Sequence, residues 1–126
     1  LLLVLHIGYL FLPLGALAMA IEILFPGILG LAGAQHLWMA GAIGLMTLAV
    51  MTRATLGHTG NPLTADRGTI AIYLLVIASV IARFLAGLMP DAMMTLYAVS
   101  GITWIGAFGW FSLLYGRYLM TPRPAR

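Results

Sequence analysis

Four long apolar runs, each ended by a helix breaker, constrain this chain more than any other feature. The first runs from Leu1 to about Phe25 and stops at Pro26-Gly27. The second runs from about Gln35 to Leu56, with Gly57 suited to end a helix and Pro62 shortly beyond. The third follows Asp66, a good N-cap residue, and runs from Gly68 to Met89 before Pro90. The fourth follows Asp91, a second N-cap residue, and runs from Ala92 to about Tyr115. At 1.5 Å per residue, runs of about 21 to 25 residues cross a hydrocarbon core of about 30 Å. The expected fold is therefore all-α: one polytopic membrane domain of four antiparallel transmembrane helices. The spans fall at about 1–25, 35–56, 68–89 and 92–115, followed by a polar tail over 116–126. The short connections make sequential helices neighbours. Pro13 is expected to kink the first of them.

Composition removes the soluble alternatives. The chain is 63% hydrophobic and 7% charged, against about 25% charged in soluble domains. Its net charge of +3 rests on six scattered arginines with no lysine, so no basic face exists for a nucleic acid. The absence of cysteine excludes disulfides, thiolate metal sites and thiol catalysis. The Leu1–Leu17 stretch with its Ala16, Ala18 and Ala20 has the outline of a signal peptide but lacks the basic lead-in one requires. Because Leu1 already lies inside an apolar run, a longer polypeptide is expected upstream. Arg53 and Arg67 flank the middle connection and Arg117, Arg123 and Arg126 lie in the tail, whereas the first and third connections have no basic residue. The positive-inside rule then places both termini in the cytoplasm.

Ionisable groups inside a span are costly and each asks for a reason. Counting along the helices puts Glu22 about 6 Å and Arg83 about 10 Å below the outer turns. Those depths suit an ion pair between the first and third helices, the alternative being that each snorkels separately. Ile72, Val76, Ser79, Arg83 and Gly87 share an arc, which is expected to be buried. On the second helix His36, Ala40, Ile43, Gly44, Thr47, Met51 and Ala54 form a small, polar stripe. Such a stripe suits close helix packing, as in Ala40-x-x-x-Gly44, or leaves room beside a histidine for a planar cofactor. Neutral imidazole is a common ligand of haem iron and copper. His6 and His58 belong to the inner side and His36 to the outer, although a histidine bonded to a backbone carbonyl is the commoner case. No paired carboxylates, serine nucleophile, phosphate loop or zinc spacing is present. The eight methionines are scattered, as packing residues are. Tyr97, Tyr115 and Tyr118 suit interfacial belts.

The stretch HLWMAGAIGLMTLAVMTRATLGHTGNPL, His36 to Leu63, resembles the most characteristic block of the NnrS family, bacterial membrane proteins linked to nitric oxide metabolism and denitrification. The matching elements are His36, Gly41–Gly44, Met46–Arg53 and Gly57–Gly60. The preceding LHIGYLFLPLGAL, with His6, Gly8 and Tyr9, is similar to the family's helix before that block, and Arg83 and Pro122-Arg123 also have counterparts. The family usually has Arg where Asn61 stands, and its tail usually continues Arg-Pro-Asp-Gly where this chain reads Arg-Pro-Ala-Arg. Its members carry more spans than four, so the resemblance implies the C-terminal third of a longer chain, or a short relative acting as a subunit. It implies haem b and copper as cofactors, with His6, His36 and His58 as candidate ligands and Arg53 and Arg83 as candidate partners of haem propionates. The implied location is the bacterial inner membrane, with the lipid bilayer and further helices or subunits as partners. The expectation is thus a haem-binding membrane protein of the nitric oxide response. A metal-free structural subunit and, behind it, a transport element with the Glu22–Arg83 level as a gate are the alternatives.

Overall fold

The computed structural model describes residues 1–120 and is all-helical, with no strand among them. Four helices are long and apolar enough to cross a membrane. In lipid every backbone polar group needs an internal partner, which a helix supplies within one segment. The first span is α1 (Leu2–Leu24), which runs unbroken through Pro13. The second span, Leu31–His58, has three parts: α2 (Leu31–His36), a π-helical stretch (Leu37–Gly44) and α3 (Leu45–His58). The third is α4 (Arg67–Leu88), and a 3-10 turn, Pro90–Ala92, leads into α5 (Met93–Met120).

The second span is longer than expected at both ends and the fourth at its far end. The second span continues past Gly57 because Gly60, at φ +75°, takes the left-handed position instead. There Asn61 N–H closes onto the Leu56 carbonyl at 2.9 Å. Asp66 caps α4 as expected, accepting the Thr69 N–H at 2.7 Å. Asp91 lies inside the 3-10 turn and caps nothing through its side chain. The tail expected from residue 116 begins as helix, since α5 runs to Met120. Its remainder, with Arg123 and Arg126, lies outside the described residues.

The helices pack in chain order. α1 lies along the second span, with Gly8 against Met46, Phe11 against Gly41 and Gly15 against Trp38. A Cβ on Gly15 would stand 2.7–2.8 Å from Trp38, backbone included, so the two backbones meet there as only small residues permit. The second span rests on α4, and α4 forms a long antiparallel hairpin with α5. That hairpin is fastened by Thr69 to Tyr115 (2.5 Å) and by the Ser79 hydroxyl, which donates to the Ser100 carbonyl at 2.8 Å. Leu45, Leu48, Ile72, Val76, Val80, Ala107 and Tyr115 form the core between them. The arc expected on α4 is the inward one: Ile72, Val76 and Ser79 are buried, and Arg83 and Gly87 are partly so. Outward faces of α1 and α5 are apolar and exposed, as surfaces meeting lipid or further helices are.

Candidate functional site in a membrane-level groove

Between the π-helical stretch and the halves of α4 and α5 nearest the Pro90 turn lies a groove of about 750 Å³. That is within the range of small-molecule and cofactor sites. His36, Ile43 and Gly44 come from the second span, Arg83 from α4, and Tyr97 and Trp104 from α5. Each has a local reason to be there. The π stretch widens the helix by one residue per turn, and such bulges recur at functional sites. Close packing against α1 falls here to Gly41, beside the expected stripe and not on it. Gly41 is buried against Phe11, whereas Ala40, Ile43 and Gly44 turn to the groove. A Cβ on Gly44 would stand 3.0 Å from the Trp104 ring, so Gly44 makes room for that indole. The lower part of the expected stripe, Thr47 and Met51, is exposed, and α3 buries Leu45, Leu48, Ala49 and Thr52 instead.

His36 and Arg83 both line the groove, and each has an unused capacity. The His36 Nδ1 lies 2.7 Å from the Ala32 carbonyl. A carbonyl only accepts, so Nδ1 carries the proton and a neutral ring keeps its Nε2 lone pair. Orientation of one ring nitrogen by a carbonyl is the usual support of a ligating histidine. The Arg83 guanidinium lies 4.1 Å from the Tyr97 ring centroid. Its Nε is buried and has no hydrogen-bond partner among the described residues.

The expected Glu22–Arg83 ion pair does not form. Glu22 accepts the N–H groups of Gly27 (2.7 Å), Leu29 (2.9 Å) and Gly30 (3.1 Å). Positive φ at Gly27 and Gly30 turns those donors inward, making an anion-binding nest that the carboxylate fills. The turn satisfies Glu22 locally, which depth counting along helices could not reveal.

The three histidines are not one site. The contacts between α1 and the second span pair residues whose numbers sum to 52–54, which puts His6 level with Thr47. His36 and His58 each stand eleven residues from that level, about 16 Å along the axis in opposite directions. His6 is exposed, with Nδ1 2.8 Å from the Leu2 carbonyl. His58 closes α3, and Arg53 is exposed on it, about 25 Å along the span from His36. Among the described residues no group of three or more His, Cys, Asp or Glu stands together as a metal site.

Tyr97 and Trp104 line the groove. Their spacing with Ser100, Gly101 and Ile105 is a single helical face, a signal visible in the sequence once α5 is given a partner. At the start of α4 the Thr69 N–H and hydroxyl hold the Asp66 carboxyl below the ordinary carboxylate range. Residues 1–123 match the family model described as NnrS protein. No curated protein and no solved structure matches the chain.

Proposed function

The chain belongs to the NnrS family, and on that premise we propose that it is a membrane protein of the nitric oxide response that holds haem b in the groove beside His36. The observation that carries this reading is the His36 ring, fixed through Nδ1 to the Ala32 carbonyl at the wall of a cofactor-sized, largely apolar groove. Haem bound there would supply an iron centre able to bind nitric oxide or carry an electron. His36 would present Nε2, Gly44 and Trp104 would shape the wall for a planar body, and the apolar lining would keep water from it. His6 and His58 lie too far along the axis to serve the same ring as His36 within this chain. We place the second ligand, where there is one, on the further helices or subunits that pack against the exposed faces of α1 and α5. The location we propose is the bacterial inner membrane with both termini cytoplasmic, supported by the arginine distribution. Copper, which the family implies, is not assigned to these helices.

A metal-free structural subunit is the second reading. It is favoured by the fact that His6 and His36 each bond a carbonyl of their own helix. Visible spectra of the purified protein, oxidised and dithionite-reduced, separate the two. A Soret band lost in His36→Ala and kept in His6→Ala and His58→Ala is the expected result. A folded wild-type protein expressed with haem available, yet without such a band, would overturn the haem reading.

A further inference from the structure

We infer that Arg83 is an anion-binding residue and that the groove takes an amphiphile carrying a carboxylate or phosphate on an apolar body. An arginine inside a span needs a partner or water. Arg83 stands five residues before the end of α4 at Leu88, about 8 Å along the axis. Its cation–π contact with Tyr97 uses the face of the guanidinium, whereas its five N–H donors point outward in its plane. One of them, the buried Nε–H, has no acceptor among the described residues.

The described residues do not supply the missing charge. The chain has three acidic side chains, and each is placed elsewhere. Glu22 is held by the Gly27–Gly30 turn. Asp66 caps the opposite end of α4, seventeen residues and about 25 Å away. Asp91 is exposed in the turn beyond Leu88. The groove that Arg83 lines is open to a ligand that brings the counter-charge. Ile43 and Ile105, exposed at the rim, leave the groove open sideways to lipid, so an anion borne on an apolar body enters from the bilayer. Fatty carboxylates, lipid phosphates and the propionates of haem share this chemistry. The inference deepens the haem reading but rests on Arg83, not on iron.

Trp104 in the groove wall gives a direct readout with the full chain in micelles. Dibromostearate should quench its fluorescence saturably, and Trp104→Phe should remove that saturable part. Arg83→Gln should weaken the apparent affinity by about tenfold or more, as loss of a charge-assisted hydrogen bond does, with Arg83→Lys in between. Dibromostearate methyl ester should bind weakly and equally to both proteins. Equal affinity for acid and ester in the wild type would overturn the inference, and that comparison stands even where Arg83→Gln fails to fold. Displacement of dibromostearate by millimolar phosphate or acetate alone would overturn the amphiphile part. Displacement by haemin but not by its dimethyl ester would identify the propionates as the anion. Saturable, Arg83-dependent quenching in a protein that shows no Soret band would keep the inference with a lipid as source, while the haem reading fails.

Discussion

Gly87 and Gly101 look alike in the sequence, two glycines in apolar helices, and the structure makes them opposites. A Cβ on Gly87 would stand 2.4 Å from the Leu29 carbonyl oxygen, whereas Gly101 meets nothing within 4 Å. Gly87→Ala should therefore destabilise the protein by about 1–3 kcal/mol through overpacking against backbone. Gly101→Ala should leave it unchanged or stabilise it by up to about 1 kcal/mol through helix propensity. Reversible unfolding in mixed micelles checks both, and equal effects would contradict the close approach of the first turn to α4. Tyr73 and Thr52 make a similar point about polar residues in a core. The Thr52 hydroxyl donates its one proton to the Ala49 carbonyl at 2.8 Å, so the Tyr73 hydroxyl must donate to Thr52. Tyr73→Phe should then cost about 0.5–1.5 kcal/mol, because Thr52 keeps its own donor satisfied. A loss much larger than this in the same unfolding assay would mean that the phenol holds more than this one bond.

At the scale of elements, the ends of the helices were partly legible and their winding was not. Asp66 reads as an N-cap in the sequence and is one, because a short acceptor before a helix finds the free N–H three residues on. Asp66→Ala should cost about 1 kcal/mol of stability, and Asp66→Asn much less. The cap also carries a pH dependence of known sign. Its carboxyl titrates lower in the folded protein than the ordinary value of about 4. Its stabilisation is therefore fully present above that value and is lost as pH falls through the lower, folded one. Unfolding curves taken between neutral pH and about pH 3 should show this loss in the wild type and not in Asp66→Asn. Asp91 has the same chemistry but follows Pro90 in a 3-10 turn, so a rule that reads one residue could not separate the two. The π stretch Leu37–Gly44 left no periodic signal, because the stripe was read at 3.6 residues per turn and the backbone departs from that period there.

For the molecule as a whole, orientation is the testable consequence of charge. The protein has no cysteine, so single substitutions report cleanly on each side. Asn61→Cys should react with an impermeant maleimide only after the inner membrane is opened, and Ile28→Cys in cells whose inner membrane is intact. The reverse pattern would overturn the cytoplasmic placement of the middle connection and of both termini.

The number of spans and their antiparallel order were determined by the sequence alone. These follow from one-dimensional quantities, the length of apolar runs against the thickness of a bilayer and the count of charges along the chain. The block from His36 to Leu63 was likewise enough to mark the family. Which polar groups meet was decided only by the tertiary structure. Glu22 and Arg83 share a level by counting along helices, yet a nest of turn N–H groups takes the carboxylate and a tyrosine on α5 takes the guanidinium. Partner choice depends on rotation about each helix axis and on local turn geometry, and the depth of a residue in the membrane fixes neither.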